Sequence, residues 1–373
     1  MQKTEKQYLQ RRPMAMPAGT LAANPEVVEA LSGLSFGSLG SAEIFSFPGR
    51  NDNWSGVTDE GHAIFVKQLA GKTPESLARF RRALAFEREA AAERIPHPRL
   101  LGADEKNRLL VFELLENARS GNELAADDAF TPGISQQVGE ILAALHGAMP
   151  TGVPDVVDDP HPLPPVAELR ALPLAAYLSA SGASLQAWAM LQRDVPLVSA
   201  LTALREGERT TPRVPGHGDF RLDQLLVQDA VVHLTDWEEF RLMDPARDVG
   251  AYVGEWLYRA VLRIPVTDGA DTAFGQTLGH TEILTRGQQE ISRVIPLVTA
   301  FWTAYRAHRR TADPELATRA TAYAGWHLID RLLASTRESA RLSAIVRAAA
   351  GIGRTALLDP QRFTGAVGLG EQR

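Results

Sequence analysis

The chain has 373 residues, enough for two or three domain-sized units with a sizeable core. Its net charge of −6 gives no overall basic field for nucleic acid, and the absence of cysteine excludes disulfides, thiolate metal sites and a Cys nucleophile. The N-terminal MQKTEKQYLQRRPMAMPAGT has basic residues with no apolar run behind them, and nowhere do about 18 apolar residues run together. Neither a secretory signal nor a membrane span is expected, and the composition fits a reducing cytoplasm.

In chain order, residues 1–35 read as a partly ordered arm, because Pro-Met-Ala-Met-Pro and Ala-Asn-Pro break long elements. A β pattern follows: AEIFSF as a strand, FPGRNDNW as a turn-rich loop, then NWSGVT and HAIFVKQL as a hairpin about Asp59-Glu60-Gly61. TPESLARFRRALAFEREAAAERI has Pro74 near its first turn and apolar residues at helical spacing, so a helix is expected until Pro96 and Pro98 end it. RLLVFELLE is a further strand. After Gly121 the chain turns helical, and ISQQVGEILAALHGAM places Ile134, Val138, Ile141, Leu142 and Leu145 on one face. GVPDVVDDPHPLPP is a Pro- and Asp-rich loop, and helical patterns then run to about Arg205. Within VPGHGDFRLDQLLVQDAVVHLTDWEEF, two short β segments flank a turn at Asp229-Ala230. DVGAYVGEWLYRAVLRI is a strong helix, PVTDGADTAFGQTLGH a loop, and residues 285–352 read as three helices. The fold class is therefore α+β, with an arm over 1–35, a small β-rich lobe over 36–116 and a larger helical lobe over 117–373.

The candidate chemistry lies in a few positions. An Asp in a rigid loop, such as Asp219 of His217-Gly218-Asp219, can orient or deprotonate a substrate hydroxyl, although such an Asp more commonly caps a turn. Gln224 offers an amide oxygen to a metal. Asp236 follows the apolar VVHLT, where a carboxylate is costly unless it is paired or holds a metal. Lys67 sits on the strand face opposite Ile64 and Val66. Glu89 on the following helix could pair with it to hold phosphates, with Glu87 as a rival. Asn51 and Asn53 lie in a loop from Gly49 that reads as a plain turn or as a flap whose backbone N–H groups approach nucleotide phosphates. Asp155, Asp158, Asp159, Glu238 and Glu239 are acids available to a cationic acceptor.

This order, with HGDFRLDQLL followed by LTDWEEFRLMDPARDVG and preceded by Leu142-Ala143-Ala144-Leu145-His146, resembles the aminoglycoside phosphotransferase-like branch of the protein-kinase-like superfamily from about residue 40 to 310. The resemblance implies a bilobal protein-kinase-like fold and transfer of the γ-phosphate of ATP, with Mg2+, to a hydroxyl. It makes Asp219 the catalytic-loop acid, Gln224 and Asp236 the metal ligands, and Lys67 and Glu89 the phosphate-contacting pair. It puts adenine at the strand edge holding Phe112, Glu113 and Leu115, and makes Asp244 and Asp248 structural braces. The family usually has Asn where this chain has Gln224; both offer an amide oxygen. The lobe order and Gln224 also resemble the stand-alone kinases of class V lanthipeptide and thioamitide biosynthesis. That implies Ser or Thr of a precursor peptide as acceptor, with a separate lyase eliminating the phosphate. The alternatives are a small-molecule kinase for an aminoglycoside-like antibiotic or sugar, and a nucleotide-binding pseudokinase scaffold, which Gln224 alone favours. No nucleic-acid or membrane partner is expected.

Overall fold

A computed structural model describes residues 14–15, 21, 24–39, 44–47, 50–89, 92–150, 155–265, 279–309, 311–337 and 339–370. Two compact units emerge: residues 1–130, 148–159 and 222–241 form the first, and residues 131–147, 160–221 and 242–373 the second. This grouping differs from a boundary at 116/117, since the hairpin bearing Gln224 and Asp236 belongs with the β-rich unit.

The first unit is built on an antiparallel sheet of six strands: β1 (Met14–Ala15), β2 (Phe45–Ser46), β3 (Asp52–Val57), β4 (Ala63–Gln68), β5 (Leu100–Asp104) and β6 (Leu109–Glu113). Their spatial order is β1-β2-β3-β4-β6-β5. Strand alternation sends Trp54, Ile64, Val66 and Val111 into one core. Helix α1 (Pro25–Gly33) covers that core with Val27, Ala30 and Leu31. Within the arm expected to be partly ordered, the chain is thus helical from Pro25 to Gly33. Asn24-Pro25 starts a helix instead of breaking one, because proline at the first helical position lacks only an N–H that would be unsatisfied anyway. Residues 1–13 of the expected arm lie outside the described residues.

Helix α2 (Pro74–Arg88) opens with a reciprocal capping box between Thr73 and Ser76. It stops at Arg88, short of the expected Ile95, although the Ala-rich stretch favours helix. Tertiary packing overrides that preference. The chain must turn so that Ile95 is buried and His97 meets the Phe86 ring edge-on at 5.1 Å. Further on come β7 (Arg119–Ser120) and α3 (Gly121–Ala126). The hairpin β9 (Leu225–Gln228) and β10 (Val231–Leu234) then joins β7 in a three-stranded sheet. Its turn places Asp229 and Ala230 both at positive φ, 49° and 65°, as a tight two-residue hairpin requires.

The second unit is helical, with α4 (Pro132–His146), α5 (Gly182–Gln192), α6 (Val195–Glu208), α7 (Ala246–Arg263), α8 (His280–His308), α9 (Leu316–Thr336) and α10 (Ala344–Leu358). The strand β8 (Val214–Gly216) leads into the His217-Gly218-Asp219 loop. Helices α7 and α9 approach closely at Gly254, where a Cβ would lie 2.6 Å from His327 Cβ, so only glycine fits. Tyr252 of α7 stacks on Phe301 of α8 at 4.2 Å between ring centroids. Residues 266–278 of the expected Pro265–His280 loop lie outside the described residues. Among the described residues, no helix is long and apolar enough to cross a membrane.

Candidate active site

In the first unit, Lys67 is 7% exposed on β4, paired in register with Asn53 of β3 and Leu110 of β6. Burying an ammonium is costly unless it is paired. Lys67 is paired twice, hydrogen-bonding to Asp236 and lying 3.1 Å from Glu238 Oε2. Burial alone would weaken its charge, but the Asp236 and Glu238 carboxylates outweigh burial and hold the Lys67 pKa above its ordinary value. Glu238 is itself 5% exposed and also receives Arg50 and, at 2.8 Å, the amide of Asn51. Burial would push its pKa up; Lys67 and Arg50 instead hold it well below the ordinary carboxylate range.

Lys67 does not pair with Glu89, contrary to the sequence expectation. Helix α2 ends at Arg88, and Glu89 is its C-cap, with extended backbone (φ −79°, ψ 142°) and only 7% exposure. The helix contributes cations instead. Arg82 Nε donates to the Glu238 carbonyl at 2.8 Å, and Arg79 lies 3.2 Å from Glu239. Phe86 stacks on Trp237 at 3.4 Å. Glu238 and Glu239 are thereby spent within this network and do not form an acidic acceptor pocket. Sequence reasoning missed the Glu238 role, although Asp-Trp-Glu carried the signal: an acid two residues past a candidate metal ligand, on a segment too apolar to leave it unpaired.

Asp236 adopts the left-handed conformation (φ 68°, ψ 60°), which non-glycine residues hold only where the surroundings enforce it and which recurs at functional sites. The hairpin register explains its placement. Thr235 donates its N–H to the Gln224 carbonyl at 2.9 Å, so the residue preceding Asp236 is tied to the other proposed metal ligand. Both offer oxygen donors. Asn53 adds a buried Oδ1 with no hydrogen-bond partner among the described residues. Hard oxygen donors of this kind fit Mg2+, which takes one or two protein carboxylates and draws its remaining ligands from phosphates and water. The other expected nucleotide contacts are placed as follows. Asn51 uses its side chain structurally, bonding Glu238 and accepting from the Ala70 N–H at 3.2 Å. Gly49 of the proposed flap lies outside the described residues. Phe112 and Glu113 end β6, where Glu113 exchanges hydrogen bonds with the Arg99 backbone, 2.9 and 3.0 Å. Leu115 follows two residues beyond the strand.

In the second unit, the loop carrying Asp219 is fixed from behind. Asp248, 1% exposed on the first turn of α7, accepts the backbone N–H groups of His217 at 2.7 Å and Gly218 at 2.9 Å. His146 lies against the same carboxylate at 3.2 Å, its other ring nitrogen 2.8 Å from the Tyr305 hydroxyl. Gly218 has φ +83°, which a side chain would strain. The Asp219 N–H closes on His217 Nδ1 at 3.3 Å. Asp244 is braced separately by Arg319 at 2.8 Å. Asp219 itself is a third exposed and held by both carboxylate oxygens in a fork from Arg221, at 2.7 and 2.8 Å. Burial would raise its pKa, but Arg221 and then Arg331 hold it far below the ordinary range.

The bracing by Asp248 yields a direct expectation. Asp248→Asn replaces a charged acceptor of two backbone N–H groups by a neutral amide. It is expected to cost about 2–3 kcal/mol of unfolding free energy in a denaturant titration, the scale of a hydrogen bond to a charged group. A change under about 0.5 kcal/mol would show that the loop holds itself.

Residues 45–288, well over half of the chain, match a family model described as "Phosphotransferase enzyme family". No curated protein matches the chain significantly in sequence. Among solved structures, the fold is similar to a choline/ethanolamine kinase family protein from Mesorhizobium loti, with TM-score 0.55 and 15% identity over 95% of this chain and 100% of that one. It is equally similar to an amicoumacin kinase in complex with AMP-PNP, Ca2+ and Ami, with TM-score 0.55 and 12% identity over 92% and 96%. A choline kinase from Streptococcus pneumoniae follows, with TM-score 0.51 and 13% identity over 90% and 99%. At these identities the likeness is one of fold.

Proposed function

Since the chain belongs to the phosphotransferase enzyme family, we propose that it moves the γ-phosphate of ATP to a hydroxyl, and that the acceptor is Ser or Thr of a biosynthetic precursor peptide. The observation that carries the transferase reading is the buried Lys67 held by Asp236 and Glu238. An ammonium fixed by two acids beside oxygen donors is suited to a nucleotide phosphate and its cation, and few structural needs would justify burying so many charges. Lys67 would contact the phosphates. Gln224 and Asp236 would hold Mg2+, which when bound neutralises phosphate charge. Asp219 would orient the acceptor hydroxyl and take up its proton.

The Arg221 fork makes Asp219 a weak base, which suits phosphoryl transfer, where positioning and charge stabilisation outweigh proton abstraction. The peptide acceptor rests on the resemblance in lobe order and in Gln224. It implies a later elimination of the phosphate by a separate lyase, in a pathway of lanthipeptide type.

The test is label transfer from γ-labelled ATP with Mg2+ in extract of the source organism, with products separated by size. Label on a peptide supports the full reading. Label confined to small molecules moves the acceptor to an aminoglycoside-like antibiotic or sugar. Tight ATP binding without transfer would leave a scaffold.

A further inference from the structure

Residues 171–192 hold no charged side chain. Within them lies a short helix, Leu174–Ser179, with the sequence LAAYLS. A helix that is apolar nearly all round belongs in a core. This one buries none of its residues: Leu174 is 72% exposed, Tyr177 55% and Leu178 73%. The three recur at i, i+3 and i+4, so they form one outward stripe. Both flanks of the helix are fixed. Upstream, Leu169 is buried, and the Glu168 carbonyl accepts from the Gln192 amide at 2.8 Å. Downstream, Ser181 Oγ donates to the Thr336 carbonyl at 2.5 Å, and the Ala183 N–H donates to the Ser339 carbonyl at 3.2 Å. The stripe is held in shape while facing water, where it adds nothing to the core.

Size and charge restrict what can cover it. A stable second copy needs about 800 Å² on each side. Even a fully bared aromatic side chain offers only about 150–250 Å², so three partly exposed side chains fall short. A lipid surface calls for lysines or arginines beside the apolar stripe, and residues 171–192 supply none. An uncharged, apolar stretch of peptide has the matching size and chemistry. The position also fits. Helices α7 and α9 run in the same direction, with Gly250 against Ala320 and Gly254 against His327. Asp248, which braces the Asp219 loop, stands near the start of this pairing, and Thr336, which anchors Ser181, ends α9. From Ala320 to Thr336, α9 rises about 24 Å, a length that an extended peptide covers in about seven residues. We propose, resting on the peptide-acceptor reading, that Leu174, Tyr177 and Leu178 dock an apolar segment of the acceptor peptide, about seven residues or more from the Ser or Thr that is phosphorylated. Docking there raises the local concentration of the hydroxyl at Asp219 and leaves the residues beside that hydroxyl free to vary.

The experiment measures transfer from γ-labelled ATP to two degenerate peptide pools. Both carry one Ser or Thr in a background of Gly, Asn and Gln, and one pool adds a block of Leu, Ile and Phe about eight residues away, on either side. Full-length wild type is compared with the double variant Leu174→Ser/Leu178→Ser, whose changes lie at exposed positions, with the unfolding midpoint and nucleotide affinity as checks that it is folded. The wild type is expected to show a KM about tenfold lower for the apolar-block pool, and the double variant should lose that preference while keeping its kcat and its use of the polar pool. Equal use of both pools by the wild type, or a preference that survives in the double variant, overturns the docking proposal and leaves a peptide kinase intact. A wild-type dimer in sedimentation that the double variant makes monomeric gives the stripe to a second copy and overturns the proposal. So does wild-type binding to phosphatidylcholine–phosphatidylglycerol vesicles that the double variant loses. If neither pool is labelled, the decision passes to the product labelled in extract. A labelled peptide whose KM is unchanged in the double variant overturns docking alone, one whose KM rises about tenfold supports it, and label on small molecules only overturns the peptide reading and docking together.

Discussion

Asp219→Asn is expected to lower phosphate transfer by about 10²–10⁴-fold, the range for losing a positioned acid or base, while ATP binding persists. The substitution keeps the shape of the side chain but leaves only one oxygen to accept from Arg221, and the loop braced by Asp248 should stay folded. What is lost is the negative charge that orients the hydroxyl and accepts its proton. The pH profile adds a second check. Although burial opposes it, Arg221 and Arg331 depress the Asp219 pKa. A depressed carboxylate pKa means that the ionised form is present above the ordinary value and is lost only as pH falls through the lower, folded-state value. The acid limb of kcat/KM should therefore not arise from Asp219 between about pH 5 and 7. Wild-type activity in Asp219→Asn would remove this residue from the chemistry.

Glu238→Gln is expected to cost about 2–3 kcal/mol of stability, less than the ~3–5 kcal/mol for orphaning a buried ion, because Lys67 keeps Asp236. Nucleotide affinity should fall about tenfold, or ~1.4 kcal/mol, as Lys67 loses one of the two acids that set it. Glu89→Gln is the matched control and should leave affinity within about twofold. Titration calorimetry with AMP-PNP separates the two. A large effect at Glu89 with none at Glu238 would restore the helix-borne pairing read from the sequence.

The hairpin around Asp229-Ala230, the alternation that buries Ile64 and Val66, and the α+β class were legible in the sequence because period and turn chemistry are local. The partner of Lys67 was not. Helix propensity carried α2 past its real end, and no local rule reveals that packing of Ile95 and His97 stops it at Arg88. The helix at Pro25–Gly33 was missed for a similar reason. Asn24-Pro25 looks like a break, and only the burial of Val27 and Leu31 shows that it begins a helix. The Arg221 fork on Asp219 spans two residues, yet its existence depends on rotamers that the sequence does not reveal.

The Phe86–Trp237 stack and the Arg82 bond to the Glu238 carbonyl make α2 and the segment after Asp236 one mechanical piece. The acid that sets Lys67 lies two residues from the proposed metal ligand on that same piece. Swinging α2 outward would carry Glu238 and Asp236 along with it, not strip one from the other. Control by helix displacement alone, which works where lysine and metal answer to separate elements, has no independent lever here. Regulation of this chain is therefore expected to act through acceptor supply or through the loop at Asp219, and a screen for desensitised variants should find them there.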